Sequence, residues 1–103
     1  MTAKDKLDGR TRQGFHICVG LDTDINKLPL HFKKSTESIL EFNKNIIDAT
    51  NNSAAAYKLN LAFYECHGII GLEVLEKTIE YLPDDILIIG DAKRGALEGA
   101  PLW

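Results

Sequence analysis

ILIIGD, at residues 86–91, is the stretch that decides the fold. Four consecutive apolar residues before a glycine predict a strand over 86–89 that is covered on both faces, and such strands are typical of parallel sheets. The run FHICVGL, at residues 15–21, is rich in aromatic and β-branched residues and predicts another strand. The alanines of AAAYKL, at residues 54–59, fit either a helix or a strand. The position of this segment between two helical patterns favours a strand.

A first helix is predicted between the strands at 15–21 and 54–59. Apolar residues recur at helical intervals from Ile39. Ser38 and Glu41 have the spacing of a capping box at the start of this helix, and the asparagines at 51–52 mark its end. The expected buried face consists of Ile39, Phe42, Ile46 and Ala49, widened by Leu40 and Ile47.

A second helix is predicted from Gly68 to the residue before Pro83, because proline interrupts a helix. Its expected buried face consists of Leu72, Leu75, Ile79 and Leu82. The element order is therefore β-α-β-α-β with parallel strands. This α/β order fits half of a flavodoxin-like or Rossmann domain, or part of a (β/α) barrel.

The composition excludes several classes of protein. The 103 residues correspond to a single domain or to a piece of a larger one. A net charge of −3 leaves no basic footprint for nucleic acid, and no apolar run is long enough to cross a membrane. The segment 1–14 is charged and has no apolar centre, so it is not expected to be a secretory signal. A cytoplasmic location is the expectation.

The two cysteines predict neither a disulfide framework nor a metal site. Cys18 lies within an apolar run and is expected to be a small core residue. Cys66 stands beside His67, but no second cysteine or histidine follows at the spacing of a zinc site.

Polar residues follow or end each predicted strand, where parallel α/β folds bind their ligands. Asp22 follows the first strand, Lys58 and Asn60 end the second, and Asp91 and Lys93 end the third. Asp91 and Lys93 are two residues apart in an extended segment, so their side chains share a face. A carboxylate beside an ammonium keeps the lysine charged and able to donate a proton.

Each of these residues also has a purely structural interpretation. Asp91 and Lys93 fit a plain ion pair at the end of a strand. Asp22 fits the start of a loop through an Asx turn, and Lys58 fits a lysine whose stem packs while its ammonium reaches solvent. The residues alone leave both interpretations open.

Taken together and in order, four segments resemble orotidine 5′-monophosphate decarboxylases, in particular their longer bacterial branch. The segments are ICVGLD at 17–22, FNKNIIDAT at 42–50, AYKLNLAFYE at 56–65 and DAKRG at 91–95. The last is similar to the start of that family's D-x-K-x-x-D signature. The resemblance is collinear from about residue 15 to residue 95.

This resemblance implies part of a TIM (β/α) barrel that converts orotidine 5′-monophosphate to uridine 5′-monophosphate and carbon dioxide in pyrimidine biosynthesis. It implies no metal and no organic cofactor. By position, Asp22 and Asn60 would bind the substrate, with Asp22 at the ribose, and Lys58 would join the charged network beneath. Asp91 would lie against the substrate carboxylate, and Lys93 would protonate the ring carbon after carbon dioxide leaves.

The chain departs from the family pattern at its end. The second aspartate of the signature falls at Ala96, and residues 96–103 do not align with the family. In the family that aspartate reaches the partner subunit's site, so the resemblance implies a homodimer in which this residue has changed. A complete barrel needs about 250 residues. We therefore expect the 103-residue chain to be an N-terminal part of a barrel and inactive alone.

Two other functions fit parts of the sequence. The motif Asp22-Thr23-Asp24 after an apolar strand is similar to the nucleophile motif of haloacid-dehalogenase-like, magnesium-dependent phosphatases, although Asn26 replaces their usual threonine or valine. The third possibility is a barrel fragment that acts only in assembly, because three strands leave two open sheet edges.

Overall fold

The computed structural model describes residues 1–91, so Lys93, Ala96 and the segment 96–103 lie outside the described residues. The elements within 1–91 are α1 (Ala3–Arg12), β1 (Ile17–Gly20), a 3₁₀ helix (Ile25–Lys27), α2 (Thr36–Thr50), β2 (Ala54–Asn60), α3 (Leu61–Glu65), α4 (Gly68–Tyr81) and β3 (Leu87–Asp91). The predicted β-α-β-α-β order is confirmed, with α1 and the short α3 added to it.

The three strands form one parallel sheet in the order β1-β2-β3. This order excludes the flavodoxin-like arrangement, in which the first strand lies between the second and third. Strand β3 begins one residue later than predicted and extends through Gly90 to Asp91. Asp91 is therefore part of the sheet, where its position is fixed by pairing with Asn60 of β2.

One face of the sheet is covered by helices. The buried Tyr57 of β2 reaches α2, where its hydroxyl forms a 2.8 Å hydrogen bond with the hydroxyl of Thr50. Side chains alternate along a strand, so Ala56, Lys58 and Asn60 lie on the opposite side, which we call the open face.

The open face corrects two expectations from the sequence. Cys18 pairs with Ala56 and therefore lies on the open face, where it is exposed rather than a core residue. Ile89 pairs with Lys58 and is 38% exposed, so β3 is not covered on both faces by the described residues.

The predicted buried face of α2 is confirmed at Ile39 and Ile47, and Leu40, Phe42 and Ile46 pack against the core. The helix begins at Thr36 with Ser35 as its N-cap, so the predicted capping box of Ser38 and Glu41 is wrong. Its end at Thr50, followed by Asn51, agrees with the prediction. The buried residues are Ile39, Asn43 and Ile47, whereas Ala49 is exposed. A polar residue therefore lies at the centre of the buried face.

The predicted buried face of α4 is confirmed only in part, because Leu82 is buried and Leu75 packs against the core. Its buried residues are Gly71, Val74 and Thr78, whereas Leu72 and Ile79 of the predicted face are 46% and 39% exposed. Small residues face inward because α4 packs closely on α3. A Cβ atom at Gly71 would lie 2.0 Å from the carbonyl oxygen of Tyr64.

Helix α1 is joined to the sheet by a buried arginine. Arg10 is 5% exposed, and its guanidinium donates to the carbonyl oxygen of Asn51 at 2.7 Å and to the carboxylate of Asp85 at 2.9 Å. A longer bond of 3.5 Å reaches the carbonyl oxygen of Ala54, the first residue of β2. Arg10 thus links α1 to the amino ends of β2 and β3, opposite the predicted site. The charged segment 1–14 gave no sign of this role.

We expect the Arg10–Asp85 pair to make stability depend on pH. The hydrogen bond from Arg10, and then its charge, lower the pKa of Asp85 below the ordinary value of 3.8. A lowered pKa in the folded state adds stability above pH 3.8, which is lost as the pH falls through the folded-state pKa. Because the Asp85 side chain is 53% exposed, Asp85→Asn should cost only about 0.2–1 kcal/mol at pH 7.

Urea unfolding of both proteins from pH 7 to pH 2.5 measures this difference. The gap between wild type and Asp85→Asn should close at the acid end, and the neighbouring Asp84→Asn serves as the control. A gap that stays constant across this range would contradict the assignment.

Substitution of Gly71 tests the close packing of α3 and α4. Gly71→Ala should destabilise the chain by about 1–3 kcal/mol, because the added methyl group meets backbone that cannot move aside alone. Gly9→Ala in α1 is the matched control, since nothing lies within 4 Å of its new Cβ. That change should stabilise the chain by up to about 1 kcal/mol through helix propensity. Equal effects of the two substitutions in thermal unfolding would show that α4 does not pack as described.

Candidate functional site

Four of the five predicted site residues lie together at the carboxyl ends of the strands. Lys58 and Asn60 end β2, Asp91 ends β3, and Asp22 lies two residues beyond the end of β1. Strand alternation places Lys58, Asn60 and Asp91 on the open face. The fifth residue, Lys93, lies outside the described residues. We call the four residues Asp22, Lys58, Asn60 and Asp91 the strand-end cluster.

Asp22 is held against the end of β2. Its Oδ1 atom accepts a 2.8 Å hydrogen bond from the backbone N–H of Asn60. The backbone N–H of Leu21 donates to the carbonyl oxygen of Lys58 at 2.9 Å, which extends the parallel ladder one residue past β1. Asp22 is thus fixed by two consecutive contacts with β2, in addition to any role as the start of a loop.

Lys58 and Asp91 form an ion pair across the open face. The Nζ atom of Lys58 lies 3.8 Å from Oδ2 of Asp91. The lysine side chain is 43% exposed, whereas the aspartate side chain is only 14% exposed. A partly exposed pair at this distance adds little to stability. The aspartate is therefore sheltered, and the cation beside it is partly exposed.

Asn60 contributes an acceptor that no described residue satisfies. Its Oδ1 atom is buried and has no hydrogen-bond partner among residues 1–91. A buried oxygen without a donor costs about 1–3 kcal/mol. Because Asn60 also pairs with Asp91 in the sheet, this acceptor lies in the middle of the strand-end cluster.

A second polar cluster lies beneath Asp22. The Tyr64 hydroxyl of α3 donates to the carbonyl oxygen of Leu21 and accepts a 3.1 Å hydrogen bond from Nδ2 of Asn43 in α2. The same nitrogen lies 3.1 Å from Oγ1 of Thr78 in α4. Burial raises the pKa of Tyr64 to about 12, and the charge of Asp22 adds to the increase. We call Asn43, Tyr64 and Thr78 the Tyr64 cluster.

The sequence analysis missed the Tyr64 cluster. One signal was present, because Asn43 lies four residues after Ile39 and four before Ile47, on one stripe of α2. The contact of this asparagine with a tyrosine and a threonine from two other helices was not predictable from local pattern.

The geometry does not favour the phosphatase motif. Oδ1 of Asp24 accepts from the backbone N–H of Asn26 at 2.8 Å and caps the 3₁₀ helix. Within residues 1–91, no group of three or more histidine, cysteine, aspartate or glutamate residues is placed to hold a metal ion. The same residues include no helix that is long and apolar enough to span a membrane.

Proteins with similar sequences include the orotidine 5′-phosphate decarboxylases of several bacteria. The chain is 49% identical over 98 residues to the orotidine 5′-phosphate decarboxylase of Porphyromonas gingivalis, which covers 92% of this chain and 36% of that protein. It is 52% identical over 89 residues to the enzyme of the same name from Parabacteroides distasonis. No family model matches the chain. The resemblance to orotidine 5′-phosphate decarboxylases is confirmed.

Solved structures give the same result. The orotidine 5′-monophosphate decarboxylase of Leishmania donovani superposes with a TM-score of 0.76 at 34% identity, covering 91% of this chain and 34% of that one. The UMP synthase of the same organism gives a TM-score of 0.77 at 35% identity, over 91% of this chain. The predicted fold class, parallel strands from a TIM barrel, is confirmed. The chain spans about a third of the length of the curated relatives it matches.

Substitution of Lys58 tests whether its ion pair with Asp91 stabilises the fold. Lys58→Ala should change the free energy of unfolding by less than about 1 kcal/mol, because the lysine is 43% exposed. Lys44→Ala is the control, since this lysine of α2 packs over the ring of Tyr81 at 5.2 Å, away from the strand ends. A loss of several kcal/mol in urea unfolding of Lys58→Ala would mean that the pair is structural.

Proposed function

We propose that this chain supplies the amino-terminal part of an active site that decarboxylates orotidine 5′-monophosphate to uridine 5′-monophosphate. The observation that carries the proposal is the convergence of Asp22, Lys58, Asn60 and Asp91 at one edge of a parallel sheet. These residues occupy the positions that the resemblance assigns to substrate binding and to the charged network. The similarity to decarboxylases over most of the chain supports the same activity.

Asp91 is suited to act on the substrate carboxylate. Its side chain is 14% exposed and fixed at the end of β3, so a second carboxylate placed beside it would meet a sheltered negative charge. Repulsion between the two would favour departure of carbon dioxide. The bond that breaks leaves an electron pair on the ring carbon, and the reaction needs a cation close to that carbon.

Lys58 and Lys93 supply the positive charge in this proposal. The Lys58 ammonium lies 3.8 Å from Asp91, so it faces the place where the carbanion develops. Fixed charges in a site with little water stabilise such an intermediate by several kcal/mol. Lys93, two residues after Asp91, is assigned by resemblance the donation of a proton to the ring carbon.

Asp22 and Asn60 are suited to hold the sugar. The Asp22 carboxylate accepts one hydrogen bond from Asn60 and has further lone pairs for a ribose hydroxyl. The unsatisfied Oδ1 atom of Asn60 is a second acceptor at the same edge, and a hydroxyl group of the substrate would satisfy it.

A chimaera tests the function directly. Residues 1–91 of this chain replace the matching segment of the Porphyromonas gingivalis decarboxylase, to which the chain is 49% identical. Release of labelled carbon dioxide from carboxyl-labelled orotidine 5′-monophosphate is measured. We expect the chimaera to be active, and Asp91→Ala in it to reduce kcat/KM by at least about 10³-fold, because a charge at the reacting centre is removed.

Lys44→Ala in the same chimaera is the control and should retain activity within about twofold, as expected of a surface substitution. A folded chimaera that releases no carbon dioxide would contradict the proposal. Full activity of the Asp91→Ala variant would remove Asp91 from the mechanism.

The resemblance supplies the rest of the proposal. The reaction needs no metal or organic cofactor, the 103-residue chain alone is inactive, and the complete enzyme is a cytoplasmic homodimer of pyrimidine biosynthesis. Turnover by the purified 103-residue chain would contradict the statement that this chain alone is inactive. The phosphatase and the assembly-only fragment receive no support from the comparisons.

A further inference from the structure

Leu21, the residue before Asp22, is held at both of its peptide groups. Its N–H donates to the carbonyl oxygen of Lys58, and its own carbonyl oxygen accepts from the Tyr64 hydroxyl. Leu21 is 1% exposed. We propose that Tyr64 is a positioning residue that fixes the carboxylate of Asp22 through the Leu21 carbonyl, and that Asn43 and Thr78 hold Tyr64 in place. The role of Asp22 as a substrate ligand rests on the proposed function, whereas its positioning does not.

The contacts around Asp22 form a closed ring. Asp22 accepts from the backbone N–H of Asn60, and Asn60 is the N-cap of α3. Tyr64 lies in α3 and returns to Leu21, which is bonded to Asp22. A shift of Asp22 would therefore strain its bond from Asn60, the bond from Tyr64 to Leu21, or the ladder bond from Leu21 to Lys58. Removal of the Tyr64 hydroxyl breaks the hydrogen bond to the Leu21 carbonyl, the one bond of this ring that a side chain donates.

The Tyr64 hydroxyl acts as a permanent donor. Burial raises the pKa of Tyr64 to about 12, and the negative charge of Asp22 opposes ionisation further. The hydroxyl therefore keeps its proton at physiological pH and donates it to the Leu21 carbonyl oxygen. Its own oxygen lone pair accepts the N–H of Asn43 at 3.1 Å, which orients the hydroxyl.

Helices α2 and α4 are joined to this ring by further hydrogen bonds. Nδ2 of Asn43 contacts both the Tyr64 hydroxyl and Oγ1 of Thr78, each at 3.1 Å. Thr78 in turn donates to the carbonyl oxygen of Val74 at 2.8 Å. Helices α2 and α4, which do not reach the open face, thus set the position of Asp22 through α3.

Nuclear magnetic resonance of the 103-residue chain, without nucleotide, tests the inference. The backbone amide of Asn60 reports the Asp22 hydrogen bond, and Asp22→Ala defines the signal without that bond. In Tyr64→Phe we expect the Asn60 amide signal to move most of the way to its position in Asp22→Ala. Its hydrogen-exchange rate should rise about five- to tenfold, the effect of weakening one hydrogen bond.

Tyr57→Phe is the matched control. Tyr57 is also buried, and its hydroxyl bonds α2 at Thr50 and at the carbonyl oxygen of Ile47 rather than at Leu21. This variant loses the same atom from the same kind of site, so it should leave the Asn60 amide signal unchanged. An unmoved Asn60 signal in Tyr64→Phe, or an equal movement in Tyr57→Phe, would overturn the proposal.

If Tyr64→Phe does not fold, the exchange rate of the Tyr64 hydroxyl in the wild-type chain tests the proposal instead. A hydroxyl proton held as described exchanges slowly with water and shows a cross-peak to the side-chain amide of Asn43. A Tyr64 hydroxyl that exchanges as fast as the hydroxyl of free tyrosine in the same buffer would overturn the proposal. Since no nucleotide is present, the result stands apart from the test of decarboxylation.

Discussion

The parallel pairing of β2 with both neighbouring strands is the constraint on which the rest of the structure depends. In parallel strands the carboxyl ends meet at one edge of the sheet, so residues 38 and 31 positions apart in sequence become neighbours: Asp22 with Asn60, and Asn60 with Asp91. Because side chains alternate, the same pairing separates an inner helix-covered face, marked by Tyr57, from the open face that carries Lys58. A change of register by one residue would send Lys58 toward α2 and bury its charge.

The sequence was sufficient to predict the strands and the meeting of the charged residues, because both follow from local composition and a general rule of parallel sheets. ILII before Gly90 and Asp91 is typical of a strand, and polar residues after such strands gather at one edge of a parallel sheet. The position of Lys58 on the open face required only the alternation of a strand. The comparisons then distinguished a barrel from a Rossmann half, which local pattern had left open.

The helix faces could be predicted only in part, because each also depends on the shape of the neighbouring helix. Leu72 and Ile79 are more apolar than Gly71 and Thr78, yet the smaller pair is buried. A Cβ at position 71 would overlap the backbone at Tyr64, so close approach to α3 selects glycine there. Asn43 is buried for a related reason, since Tyr64 and Thr78 supply partners for its side-chain nitrogen, whereas its Oδ1 atom has no partner within residues 1–91. Pattern analysis counts apolar residues, but neither packing distance nor hydrogen-bond partners are visible to it.

The Arg10–Asp85 pair at the amino ends of the strands and the Lys58–Asp91 pair at their carboxyl ends differ in their surroundings. At the amino ends, Arg10 is almost wholly buried, and its two terminal guanidinium nitrogens bond two backbone carbonyls and Asp85, although its Nε atom has no partner within residues 1–91. At the carboxyl ends, the Lys58 ammonium is half-exposed and 3.8 Å from Asp91, and Asn60 keeps a buried oxygen without a donor in the described residues. The Arg10 side chain is only 6% exposed, whereas the Lys58 side chain is 43% exposed and stays accessible to an added molecule. The contrast favours a carboxyl edge arranged to receive a polar ligand, with the Tyr64 cluster holding Asp22 where that ligand would meet it.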